Sequence, residues 1–141
     1  MRVKGFDGRE HHWRLNKYAV SGEDIRPRSN LHILARKLLK SLFPYDTILE
    51  EVVLPGSNKP SRPSKLYADF FIPAYNLVVE VHGRQHFEFV SFFHKNKAEF
   101  LKSKIRDKDK QRWCELNSIE FVSLKFSEGE DEWRETILEK L

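Results

Sequence analysis

Between residues 29 and 43 the chain reads SNLHILARKLLKSLF, and its apolar positions recur three and four apart. Leu31, Leu34, Ala35, Leu38 and Leu42 form one stripe, and Ser29 stands where a capping hydroxyl belongs, which predicts an amphipathic helix. The segments ILEEVVL, KLYADFFI and NLVVEVH that follow are rich in β-branched and aromatic residues. They are separated by the turn-forming GSNKPSRPS and by PAY, and predict three strands. Helical spacing returns from about Asn96 to Asn117, with Ala98, Leu101, Ile105, Trp113 and Leu116 within one broad face, before IEFVSLKF predicts a fourth strand. The tail DEWRETILEKL places Trp133, Ile137 and Leu141 four apart and starts acidic, as a helix N-terminus prefers. Residues 1–28 show no clear period and end in the loop-like SGEDIRPRS, so they are read as an extended basic and aromatic arm. Residues 29–141 are expected to form a single α/β domain.

Composition agrees with one folded domain. The chain has 141 residues, 40% hydrophobic and 13% aromatic, enough for a single core. Lys and Arg number 25 against 21 Asp and Glu, and the net charge of +4 makes a polyanion the natural partner. The single cysteine, Cys114, excludes an intrachain disulfide and a multi-cysteine zinc site, and favours a reducing, intracellular setting with Cys114 itself in core packing. The start, MRVKGFDGREHHWR, lacks the apolar centre of a signal peptide, and no apolar run approaches the roughly 20 residues of a membrane span. A soluble, cytoplasmic protein without membrane contact is therefore expected.

The stretch EVHGRQH, residues 80–86, is harder to explain by folding. It sets Glu80, His82 and His86 at the end of the apolar run NLVVEV. Strand alternation puts Glu80 and His82 on one face, and Asp69 lies eleven residues earlier in the neighbouring predicted strand. Carboxylates at adjacent strand ends oppose joint ionisation unless a positive charge stands between them. Asp69 and Glu80, with the backbone carbonyl of Val81, suit magnesium or manganese, and such an ion serves phosphodiester cleavage. Other readings stay open: Glu80 paired with Arg84 or with a lysine of the long helix, Asp69 accepting backbone hydrogen bonds, and His82 and His86 as satisfied strand-end histidines.

Asp69 in YADFFIP, the run Glu80-Val81-His82-Gly83, GRQH ending at His86, and RDKDKQRWCELNSIEFVSLKF together resemble the PD-(D/E)XK nuclease superfamily. Within it the Vsr-like, EDxHD-type branch is most similar, over residues 29 to 126. The resemblance implies a restriction-endonuclease-like mixed central sheet flanked by helices and a metal-dependent endonuclease site, with a phage or mobile-element origin and the cytoplasm of a bacterial host as the setting. It assigns metal binding to Asp69, metal assistance or proton transfer to His82 and His86, and the helix aspartate to Asp107, with Asp109 in reserve. The chain departs from the pattern twice. His32 occupies the place of a first-helix glutamate, although three residues after Ser29 it also fits a capping box. The lysine expected two residues after the glutamate is His82, whose imidazole would have to act as the base.

Phosphate and base contacts are expected from Arg9, Trp13, Arg14, Lys17 and Tyr18 of the arm and from Lys59, Arg62 and Lys65 of the loop SNKPSRPSK, with Lys95, Lys97, Lys102 and Lys104 as a basic helix entrance. The function expected is a magnesium- or manganese-dependent DNA endonuclease, nicking or cutting both strands, monomeric or homodimeric. The alternatives are a DNA-binding module of the same fold without cleavage, and an RNA nuclease.

Overall fold

The computed structural model describes residues 1–18, 20–21, 28–84 and 96–141. The chain opens with two short strands, β1 (Arg2–Lys4) and β2 (Glu10–His12), paired as an antiparallel hairpin, and then α1 (Asn30–Leu42). A four-stranded sheet follows in the order β3 (Leu49–Val53), β4 (Tyr67–Ile72), β5 (Leu77–His82) and β6 (Glu120–Lys125). β3, β4 and β5 are antiparallel neighbours, whereas β5 and β6 run parallel. Parallel neighbours need a crossover, and α2 (Lys97–Leu116) supplies it before α3 (Glu130–Leu138) closes the chain. The fold is thus mixed α/β with a mixed four-stranded sheet.

Local chemistry sets the helix ends. Ser29 Oγ accepts the His32 N–H at 3.1 Å, and Asn96 Oδ1 accepts the Glu99 N–H at 3.0 Å, so each helix starts on an oxygen that satisfies an otherwise orphaned donor. α3 instead begins with Glu130, Asp131 and Glu132 against the positive end of its dipole.

Two cores lie on opposite faces of the sheet. On one, Ala35, Leu38 and Leu39 of α1 and Trp133 and Ile137 of α3 pack against Phe70, Ile72, Leu77, Val79, Val122 and Leu124. On the other, Trp113 and Cys114 of α2 join Val3 and Trp13 of the hairpin against Leu49, Val52, Ala68, Phe71 and Val78. The strands β4 and β5 are covered on both faces, which explains the near-continuous apolar runs FFI and LVV.

Three expectations change. The N-terminal segment is not an extended arm: it folds back as a hairpin whose Trp13 lies 4.5 Å from Phe71 and 5.2 Å from Trp113, ring centre to ring centre, with its indole N–H on Val53 O. Leu34 stands outside the α1 stripe and is exposed, the buried face being His32, Ala35, Leu38 and Leu39. The apolar line Leu101, Ile105 and Leu116 of α2 is also exposed, because α2 turns Asp109, Trp113 and Cys114 inward instead.

The hairpin is fastened by a close backbone approach. Phe6 N–H donates to Gly56 O at 2.8 Å, Gly56 has φ +69°, and a Cβ there would lie 2.5 Å from Gly5 Cα. Gly56→Ala is expected to destabilise the protein by about 2 kcal/mol or more, since both the left-handed backbone and the backbone contact oppose a side chain. A urea midpoint within error of wild type would reject this account of the hairpin.

Candidate active site

The register of β4 and β5 pairs Phe70 with Val79, Phe71 with Val78 and Ile72 with Leu77. One step further Asp69 would face Glu80, and there side chains replace the ladder. Asp69 N–H donates to Glu80 Oε2 at 2.6 Å, and Val81 N–H donates to Asp69 Oδ2 at 2.8 Å. The neighbouring ladder is broken in the same row: β3 and β4 pair Glu50 with Phe70 and next Val52 with Ala68, passing over Glu51 and Asp69. Glu51 has φ 51°, a left-handed conformation that a non-glycine residue adopts at some cost. Alternation fails across the row, since Leu49 and Val52 of β3, like Phe71 and Ala68 of β4, all face the α2 side. The sheet therefore kinks around Asp69.

On the α2 side Glu80 is only 1% exposed and its Oε1 accepts a hydrogen bond from Lys110 Nζ at 2.6 Å. Burial works to lower the Lys110 pKa, but the charges of Glu80 and Asp69 outweigh it and raise it, with a smaller contribution from Asp107. The ammonium is held protonated. Asp69 behaves oppositely: burial and the negative charge of Glu80 push its carboxyl up to about 6, against the pull of Lys110 and the Val81 N–H. One ammonium does not fully compensate two carboxylates held this close together.

On the α1 side Glu50, also 1% exposed, receives His32 Nε2 at 2.6 Å and Arg36 through Nε at 2.8 Å and Nη2 at 2.9 Å. Burial raises its carboxyl, yet the hydrogen bonds from His32 and Arg36 win and hold it at about 2. The His32 ring lies stacked 4.5 Å from Phe70, and its charge also acts on Asp69. Asp69 thus sits between two charge networks, one on each face of the sheet.

Asp69 and Glu80 are brought together as the strand pattern predicted, with Val81 joining them through its N–H and not through the carbonyl expected as a ligand, and two of the structural alternatives occur within the same cluster: a lysine of the long helix pairs with Glu80, and Asp69 accepts a backbone N–H. His82 is buried at the end of β5 on the Glu80 face. His86 and Lys95 lie outside the described residues. His32, open between a ligand place and a capping position, takes the capping position with its N–H on Ser29 Oγ, and its Nε2 is engaged by Glu50. Asp107 is half-buried beside Lys110, whereas Asp109 is buried away from it in ion pairs with Lys59 at 2.8 Å and Arg62 at 3.0 Å. Lys59 and Arg62, expected on phosphates, therefore help tie the 55–65 loop to α2, and Arg62 also donates to Ser57 O and Ser64 O. Trp13 is 1% exposed and does not present a stacking surface. Arg9, Arg14, Lys17 and Lys65 are exposed, and Tyr18 is half-buried with the Lys17 ammonium 5.3 Å from its ring centre.

Sequence reasoning missed Glu50 and Arg36 and did not single out Lys110. Glu50 carried the same signal as Glu80, a carboxylate inside an apolar strand. Lys110 carried no local signal, because its partner is thirty residues away.

Glu50 and Asp69 have opposite linkage. Glu50, lowered from an ordinary 4.5, contributes stability that is present above 4.5 and lost as pH falls toward 2. Asp69, raised from an ordinary 3.8, contributes stability that is present below 3.8 and lost as pH rises through about 6. In EDTA, Asp69→Asn is accordingly expected to melt above wild type at pH 7, and the difference is expected to shrink steadily toward pH 4. A difference that is constant or grows on acidification would contradict the assignment to Asp69.

No protein-family model matches the chain, and no solved structure matches it. Uncharacterized protein 033L of Invertebrate iridescent virus 3 is 34% identical over 68 residues, which covers 48% of this chain and 35% of that protein. Uncharacterized protein 307L of Invertebrate iridescent virus 6 is 36% identical over 62 residues, 44% of this chain and 32% of its own length. The chain spans about a third of the length of the curated relatives it matches.

Proposed function

We propose that this domain is a magnesium- or manganese-dependent DNA endonuclease whose centre is Asp69, Glu80 and Lys110. The observation that carries the reading is the row in which a buried carboxylate, Glu80, and a half-buried one, Asp69, interrupt the ladder and meet the half-buried ammonium of Lys110. A structural ion pair needs one carboxylate and one cation; here a second carboxylate is held beside the pair at an unfavourable pKa of about 6.

The donor set suits a hard divalent ion. Magnesium keeps several waters and is bound through one or two carboxylates, which Asp69 and Glu80 provide, and among the described residues no group of three or more His, Cys, Asp or Glu forms an all-protein cage. The ion, when bound, supplies Lewis acidity toward the scissile phosphate and toward the attacking water. The chain's own residues do the rest. Glu80 orients Asp69 through the Asp69 N–H, Val81 N–H fixes Asp69 Oδ2, and the permanently charged Lys110 is placed to stabilise negative charge that develops on the phosphate. Lys110 thereby takes, from α2, the place that the strand position His82 leaves without a cation. Among the described residues no helix is long and apolar enough to cross a membrane.

Wild type is expected to relax supercoiled plasmid with magnesium or manganese and not with EDTA. Asp69→Ala should abolish the reaction, and Lys110→Met should lower kcat by about 100-fold or more while duplex binding persists. Lys110→Met cutting at the wild-type rate would remove the ammonium from the mechanism. Equal binding by wild type and Asp69→Ala with no cleavage by either would favour the binding module, and preferential cleavage of RNA in a mixture of both strands would favour the RNA nuclease.

A further inference from the structure

α2 carries a second arrangement that shares Lys110 with the carboxylate centre and extends outward from it. Lys102, Arg106 and Lys110 stand four residues apart, so at 3.6 residues per turn they form one line along the helix, about 6 Å between steps. The direction of that line is fixed by its inner end, where Lys110 Nζ meets Glu80 Oε1 at 2.6 Å. Lys102 and Arg106 are exposed, and the Lys102–Glu99 contact is a long 3.8 Å between two solvated side chains, worth little.

The helix also projects in the required direction. Along α2, Lys110 meets Glu80 and the later Trp113 and Cys114 share a core with Val78, so the helix runs opposite to β5 and to the parallel β6 whose start it precedes. The buried residues of α2 are Asp109, Trp113 and Cys114, all in its second half, and the helix advances from Val78 toward the end of β5 as it is followed back to its earlier turns. Lys97 and Lys108, which are exposed too, lie roughly 140–160° around the helix from Lys110 and do not share the line.

We propose that Lys102, Arg106 and Lys110 form one cationic row that receives the phosphodiester backbone of duplex DNA and leads it to Asp69 and Glu80. The inference rests on the nuclease reading and deepens it, because it names the surface that sets where the backbone enters the site. A continuous strand of phosphates is the ligand whose charge repeats along such a line, and neutralising it makes binding salt-dependent.

The test measures fluorescence anisotropy of labelled duplex DNA against salt, with magnesium present, in the Asp69→Ala protein. Adding Lys102→Gln and Arg106→Gln is expected to weaken binding about tenfold at 0.1 M salt and to reduce the log–log salt slope by nearly 2, at about 0.9 per phosphate contact. Adding Lys97→Gln and Lys108→Gln removes the same charge from the other side of the helix and should leave the slope unchanged. Equal losses from the two pairs, or no loss from the first, would overturn the proposal, as would tighter binding of duplex RNA through the same row. Parallel plasmid assays keep the two readings apart. Cleavage by wild type with an unchanged slope sinks the row alone, whereas the expected slopes without any cleavage support the row and remove the nuclease reading.

Discussion

The structure depends on how two carboxylates are accommodated in the middle of a sheet covered on both faces. Asp69 and Glu80 meet across adjacent strands, where like charges repel and Glu80 is shut off from water. The chain resolves this by letting each carboxylate accept a backbone N–H of the other strand, so that the side chains replace the ladder they interrupt. That exchange satisfies the backbone donors while keeping both acids at fixed positions. The kink at Glu51 and the shift in strand alternation follow from it, because an ordinary ladder would pair this row backbone to backbone.

Hydrogen-bond donors reach the row from both layers of helices. α2 contributes Lys110 to Glu80, and α1 contributes His32 and Arg36 to Glu50, one residue from the kink. The outcomes differ with the ratio of charges. Glu50 has two donors and is held at about 2, while Asp69 shares a single ammonium with Glu80 and is driven up to about 6. The first network is a satisfied structural clasp of α1 on the sheet. The second is left with excess negative charge, the condition a divalent ion would relieve.

The same distinction sorts the basic residues of the surface. Lys59 and Arg62 are consumed by Asp109 and hold the loop before β4 against α2. The hairpin's aromatic ring, Trp13, fills the core between Phe71 and Trp113 rather than meeting a ligand. Among the described residues, the cations that stay exposed include Arg9, Arg14, Lys17 and Lys65 around the loops and Lys97, Lys102, Arg106, Lys108 and Arg112 on α2.

Periodicity and turn chemistry in the sequence determined α1, the four strands of the sheet, α2 and α3 to within a few residues, since a cap such as Ser29 and breaks such as GSNKPSRPS act locally. The eleven-residue separation of Asp69 and Glu80 across a short turn was also enough to bring them together, because an antiparallel register between near neighbours has little freedom. Tertiary structure alone decided the rest. It turned the unperiodic first residues into a hairpin by burying Trp13, chose Asp109 and Trp113 over the apolar line of Leu101 and Ile105 as the inner face of α2, and brought Lys110 to Glu80 and Arg36 to Glu50. Each of these is a long-range pairing of charges or surfaces, and no spacing along the chain records which partner the fold will supply.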